Sequence, residues 1–341
     1  MAAEILPGVF QLDVPFVKHP LRGIHDYLFK GKAGKREKTG NPNGRNLLID
    51  TALNQDVCDA ALRKELEELG VKLEETDIFL THMHVDHCGL ISRLKCGGNK
   101  VYASEVDRVY IEAFQLPSHW KWLTQTNTWC GVPEEHALKP EEHVAYSNRP
   151  SFSVPIETLR PGDTLACGDY TLSVVDLAGH TPGQVGLWHE PTGSLFSGDH
   201  VLNRISPNIT TWDLQHDYLE IFCDNLKRVR SMQIRHLYPS HGTPLVDIRG
   251  RIDELLEHHA ARLALMESLV REAGRPVPAF YVAKDIEWSK GDKFTDISIQ
   301  QKWFACSETL AHLRHLVNKG KLYSQWNDET LYFSPFPFPN L

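Results

Sequence analysis

The sequence predicts a mixed α/β fold, α+β in its overall plan, with a smaller helical unit at the C-terminal end. Two observations carry the prediction. Strand-like apolar runs alternate with helical periodicity up to about residue 247. The pattern then changes to a long helix, a break at Gly274, Pro276 and Pro278, and further helices followed by a hairpin. The 341 residues, 41% apolar and 23% charged, suffice for one large core and one small one. The boundaries that follow are 1–247 for the principal domain, 248–275 for a connecting helix and 276–341 for a C-terminal domain.

Residues 9–14 and 25–29 alternate as half-buried strands do, and 46–50 is nearly continuously apolar, as a central strand is. Between the last two, the basic run 30–38 and the Gly/Asn/Pro run 40–44 read as a solvated hairpin tip or as an anion-binding patch. Residues 56–69 have apolar side chains at helical spacing and stop at Gly70. A short helix at 89–94 and a strand at 100–103 follow, and Ser104 is placed to cap a helix to about Phe114.

Residues 115–150 break the pattern. Trp120, Trp122, Trp129 and the prolines at 117, 133, 140 and 150 either wall the mouth of a site or anchor a long loop to the core. Strand 170–175, a hairpin around Pro191-Thr192-Gly193 and strand 235–238 complete the principal domain. An amphipathic helix spans 248–273, with His258 and His259 as surface or packing residues. Helical patterning returns at 300–304, Ser307 is placed to cap a helix closed by Gly320, and 321–324 pairs with 330–333. Helices followed by a hairpin make a winged-helix-like module.

The chemistry concentrates where strands end. The apolar run 78–80 leads into Thr81-His82-Met83-His84-Val85-Asp86-His87-Cys88-Gly89. On a strand His87 would oppose His82, His84 and Asp86, whereas a tight turn after Thr81 presents all four to one space. Three later strands also end in Gly-rich turns with ligand types, at Gly179-His180, at Gly198-Asp199-His200 and at His241-Gly242. Five histidines (82, 84, 87, 180 and 241) and two aspartates (86 and 199) exceed one open catalytic metal site and suit two. A workable partition gives one ion His82, His84 and His180, the other Asp86, His87 and His241, with Asp199 bridging. Two divalent ions and two carboxylates sum to +2, which favours a bridging hydroxide. Zinc is the default ion, and iron or manganese fit the same ligands. Asp50 ends its strand where it would orient the metal loop from behind. His200 would contact substrate or give a proton to a leaving group, or else pack in the core.

The net charge of −8 gives no global field for nucleic acid or anionic membrane. Seven scattered cysteines without a C-x-x-C pair suit reduced thiols in a cytoplasmic protein, and Cys88 reads as a packing residue. The N-terminus lacks the features of a signal peptide, and no run approaches ~18 apolar residues, so a soluble chain without a membrane partner is expected.

These segments resemble the metallo-β-lactamase superfamily. Asp50, His82-x-His84-x-Asp86-His87, His180, Asp199 and His241 match its signature in order and context, from Val9 to about Thr243. The resemblance implies a four-layer αββα sandwich with the site at the edge between two sheets, and the metal partition given above. Asp199 in the bridging position, with no cysteine there, is similar to the glyoxalase II side of the superfamily and makes antibiotic hydrolysis an unexpected activity. The C-terminal module resembles the winged helix of superfamily members that include an endoribonuclease. Lys302, Arg314, Lys319 and Lys321 would then touch phosphate, or the module packs as a lid or as the contact of a homodimer.

The expected activity is binuclear metal-dependent hydrolysis of a small-molecule acyl thioester or ester, with Asp86, Asp199 and His200 in catalytic roles. A lactonase is a close variant. An RNA nuclease or phosphodiesterase using the same ions is the second class, favoured by the winged helix and disfavoured by the charge. A non-catalytic metal-binding effector is the third, disfavoured because a structural site needs fewer ligands and is closed.

Overall fold

A computed structural model describes residues 2–17, 19, 21–31, 44–288 and 291–338; the basic stretch 32–43 lies outside the described residues. The alternating segments of the first half build one sheet. Strands β1 (Ala3–Leu6), β2 (Val9–Pro15), β3 (Gly23–Phe29), β4 (Asn46–Ile49), β5 (Thr76–Phe79), β6 (Val101–Ser104) and β7 (Glu157–Leu159) lie side by side in that order. Pairing is antiparallel as far as β4 and parallel beyond it. Parallel neighbours need crossovers. These contain α1 (Asp56–Glu68), the short α2 (Val85–Cys88) and α3 (Ile91–Leu94), and α4 (Glu105–Ala113). Ser104 caps α4 by accepting from the Asp107 N–H. The segment that broke the pattern contains α5 (Lys121–Cys130) and α6 (Val144–Asn148).

The second sheet runs β12-β11-β10-β9-β8, from β8 (Thr164–Cys167), β9 (Tyr170–Asp176), β10 (Val185–His189), β11 (Ser194–Gly198) and β12 (His236–Pro239). Its β11–β12 pair is parallel, and α7 (Tyr218–Ser231) makes the crossover. Inner-face side chains of the two sheets, among them Tyr27, Phe29, Ile49 and Phe79 against Leu172, Leu187 and Phe196, form a common core. A helical layer covers each outer face: α1 packs on the first sheet, and α7 with the start of α8 (Ile248–Glu272) on the second. The αββα sandwich is thus present.

The C-terminal unit adds β13 (Val277–Pro278), α9 (Ala279–Ala283), α10 (Ile299–Asn318), β14 (Tyr323–Asn327) and β15 (Thr330–Ser334), with its sheet ordered β13-β15-β14. Its core takes Met266 and Val270 from the end of α8 and Cys130 from α5, so the insertion is anchored there. One expectation is corrected. Ser307 does not start a helix: α10 is continuous from Ile299, capped by Ser298 with Gln301 in a reciprocal box. Ser307 instead sits buried in mid-helix and accepts from the Thr211 N–H at 3.2 Å. None of the described helices is long and apolar enough to cross a membrane.

Candidate metal centre

All seven ligand candidates converge at the ends of β5, β9, β11 and β12. The chain turns after β5, and α2 begins at Val85, so the strand alternation stops before it can turn His87 away. Ligand atoms of His82, His84 and His180 lie within 4.8 Å of one another, as do those of Asp86, His87 and His241, and those of His82, His87 and Asp199. Asp199 faces both sets. Its Oδ2 is 3.6 Å from His87 Nε2 and 3.9 Å from His180 Nε2, and its Oδ1 is 3.7 Å from His241 Nε2. Asp86 Oδ2 lies 3.3 Å from His241 Nε2.

The outer ring nitrogens fix the tautomers. Nδ1–H of His87 donates to Asp50 Oδ2 at 2.8 Å, that of His180 to the Asn208 carbonyl at 2.7 Å and that of His241 to the Gly23 carbonyl at 2.8 Å. His82 Nδ1 is 3.0 Å from the Thr81 hydroxyl, which itself donates to Asp50. The inner nitrogens are left unprotonated and facing inward. His87, His180 and His241 Nε2 and Asp199 Oδ1 are buried without a hydrogen-bond partner, an arrangement that is costly unless a cation fills the space. His82 Nε2 lies 3.1 Å from His84 Nδ1, so these two ring nitrogens face one space. These residues therefore fit divalent ions.

The electrostatics agree. Burial and the neighbouring histidines hold His82 well below its usual range, and burial with His180 beside it pushes His84 down to about 3, so both stay neutral. Burial pushes Asp199 up, but His241 and His87 outweigh it and hold the carboxyl at about 2. For His87, burial is outweighed by Asp50, Asp199 and Asp86, and the imidazole is held above its ordinary value. Those carboxylates favour positive charge at this ring, which a divalent ion beside Nε2 would supply.

Asp50 is the hub behind the ligands. Fully buried and at φ 62°, it accepts from the Thr81 N–H and hydroxyl, both at 2.8 Å, as well as from His87. The turn before Asp199 needs Gly198 at φ 54°, where a Cβ would come within 2.8 Å of the Thr81 hydroxyl. Two supports have no plain sequence signal. Buried Asp107 of α4 accepts from Met83 N–H, Thr181 Oγ1 and Gly183 N–H, tying the first ligand loop to the His180 turn. Asn208 holds His180 with its carbonyl and donates its own Nδ2 to Glu308 of α10 at 2.7 Å.

His200 is placed elsewhere. Its ring packs in the core 5.1 Å from Phe222 and does not line the cavity at the ligands, so it is not placed to contact a substrate or give it a proton there. That cavity, of about 310 Å³, is bounded at one end by His84, Asp86, His180 and Asp199. Trp120 and Trp122 of the insertion, Trp212, and Trp303 and Phe304 of α10 form its walls. Of the insertion's tryptophans, Trp129 packs instead on the C-terminal core. No lysine or arginine lines the cavity among the described residues.

Comparison with known proteins agrees with this geometry. Residues 41–241 match the family model described as the metallo-beta-lactamase superfamily. The chain is 25% identical to the probable metallo-hydrolase YqjP of Bacillus subtilis, over 84% of this chain and 89% of that protein. A hydroxyacylglutathione hydrolase of Bdellovibrio bacteriovorus is 27% identical over 38% of this chain and 35% of its own. The crystal structure of a metallo-beta-lactamase family protein from Thermus thermophilus is 27% identical, covering 97% of this chain and 99% of that one, with a TM-score of 0.79. With well over half its length matched and the ligand constellation assembled, the chain belongs to the metallo-β-lactamase superfamily.

Proposed function

We propose that this metallo-hydrolase is binuclear and cleaves acyl thioesters or esters at the carbonyl carbon. The observation that carries the proposal is the cavity that ends on the ligands, with aromatic walls and no cationic side chain among the described residues. A nucleic-acid backbone would need lysines and arginines along such a path, whereas an uncharged acyl group is desolvated there at little cost. Two divalent ions, when bound, would supply a water-derived nucleophile near neutral pH and polarise the carbonyl oxygen. The chain itself holds the ligand tautomers through Asp50, Asn208 and Gly23, and lines the approach to them with tryptophan.

The cations of the C-terminal unit point the same way. Arg314 donates to the carbonyls of Asp213 and Leu214, Lys319 pairs with Glu220, and Lys302 lies 5.7 Å over the Phe294 ring. Three of the four candidate phosphate contacts thus already have partners within the chain. The Bdellovibrio relative is named for a glutathione thioester, which belongs to the proposed class. Lactones belong to it as variants in which the leaving group stays attached.

The test is turnover of a simple acyl thioester by metal-loaded protein, beside a single-stranded RNA oligonucleotide, with Asp199→Ala as control. Thioester cleavage that disappears in the variant is the expected result. RNA cleavage without thioester cleavage would overturn the proposal.

A further inference from the structure

A second depression also reaches the metal centre, at the ligand His241. It is an open groove lined by Asp13, Arg22, His25 and the ligand His241, whereas the tryptophan-walled chamber is lined by His84 and His180. Leu21 and Ile205 line both, so they form the divide between them. The two compartments differ in character. The chamber offers aromatic rings and neutral imidazoles; burial pushes His119 and His143 in its wall down to about 4. In the groove, Asp13 is already paired with His25 at 2.6 Å, which leaves Arg22, exposed at the rim, to set the sign of the surface among the described residues.

We propose that the substrate is divided across the metal centre: an apolar alkyl or aryl acyl group fills the chamber, and a hydrophilic thiol bearing an anionic group lies in the groove beside Arg22. The proposal rests on the carbonyl chemistry above and adds the identity of both halves. The opposite placement would bring a charged thiol into an apolar chamber whose described lining has no lysine or arginine to pair with it. At ~30 Å³ per non-hydrogen atom, the volume share of a water in the liquid, the chamber's 310 Å³ admits about ten such atoms. Hydrolysis then forms a bond from water oxygen to the acyl carbon and breaks the C–S bond. The thiol leaves with one proton of that water and the acid ionises with loss of the other.

Because Trp303 and Phe304 belong to α10, the C-terminal unit is in this account part of the acyl-binding wall. Ala145, also in the wall, is the place to fill the chamber without touching a ligand.

The experiment measures kcat/KM for a series from acetyl to tetradecanoyl on one anionic thiol, then on a neutral thiol of similar size. The expected result is a rise of about fourfold per methylene, levelling off near the chamber's capacity. Ala145→Phe should remove the gain for long chains, so that kcat/KM no longer rises along the series. Arg22→Gln should raise KM about tenfold for the anionic thiol alone, with kcat unchanged. A separate binding readout uses the non-hydrolysable decyl thioether of the anionic thiol, which should change the intrinsic tryptophan fluorescence of the metal-loaded protein, and do so more weakly in Ala145→Phe. Thioesters cleaved with no dependence on acyl length, or with equal response to Arg22→Gln on both thiols, would overturn the divided substrate while leaving carbonyl hydrolysis standing. No thioester cleaved at any length, with the RNA cut instead, would remove the carbonyl reading itself; absence of a fluorescence change would show the chamber does not take the chain.

Discussion

Replacing Asp50 by asparagine tests how the metal centre is held. Asp50 Oδ1 accepts from the Thr81 N–H, while Oδ2 accepts from the Thr81 hydroxyl and His87 Nδ1, all at 2.8 Å. An asparagine fits the space but turns one acceptor into a donor. With the amide at the Oδ1 position it faces the Thr81 N–H, and at the Oδ2 position it faces His87 Nδ1–H. Either placement leaves a buried donor opposed, at a cost of roughly 1–3 kcal/mol. The least costly escape is for His87 to accept from the amide and move its proton to Nε2, the atom meant for the metal. Support of this kind is worth about 10–100-fold in metal affinity. We therefore expect Asp50→Asn to lower the melting temperature modestly and to weaken by that factor the ion held by Asp86, His87 and His241. Chelator competition, with metal stoichiometry measured alongside, reads the affinity directly. An Asp50→Asn protein that holds two ions with wild-type affinity would refute the assignment of Asp50 as the group that sets the His87 tautomer.

Three further outcomes follow from the same geometry. Asp86→Ala and Asp199→Ala should each abolish turnover while circular dichroism stays native, and retained activity in both would reject binuclear chemistry. Glu308→Ala should free Asn208 and weaken the ion at His180 about tenfold, whereas Glu308→Gln keeps an acceptor for Asn208 and should bind metal nearly as the wild type does; chelator competition separates them. The buried pair His259 and His312, with 3.1 Å between Nδ1 and Nε2, is held by burial at about 2 and about 3, below the ordinary imidazole value. Because the unfolded chain takes up protons first, the stability these groups contribute is complete above pH ~6.5 and declines as the pH falls, by about 2 kcal/mol for each imidazole at pH 5. His312→Gln should flatten the fall in melting temperature between pH 6.5 and 5 relative to wild type, and an unchanged slope would reject the pair as its source.

The ligands were legible because each occupies a place that sequence patterns expose, the end of an apolar strand running into a glycine turn. His180, Asp199 and His241 all follow that rule. Their supports were not legible, since Asp107 and Gly183 are 76 residues apart and Asn208 and Glu308 are 100 apart. Helix α5 went unread for a different reason. Leu123 faces Leu138 and Trp303 on one side while Cys130 enters the C-terminal core on the other, so no single apolar stripe marks the helix. Ser307 misled for the same reason. Residues 305–313 of α10 are buried without interruption, Ser307, Glu308, Thr309 and His312 among them, and a buried serine with a partner on another segment looks in sequence like a cap.

That continuous burial also bears on what the C-terminal unit does. A winged helix that reads nucleic acid presents its recognition helix to a groove, which requires an exposed face with polar side chains free to reach bases and phosphates. In this chain the helix before the hairpin is α10. It packs against α5, α7 and α8, and its Glu308 reaches Asn208, the residue whose carbonyl orients the ligand His180. At its start, Gln300, Gln301, Trp303 and Phe304 complete the chamber wall. The helix is thus occupied on one side by the metal centre's support and at its N-terminal end by the cavity, and exposing it to RNA would dismantle both. The unit that on connectivity alone suggested a nucleic-acid reader contributes, by its contacts, to the cavity wall and to the support of the metal centre.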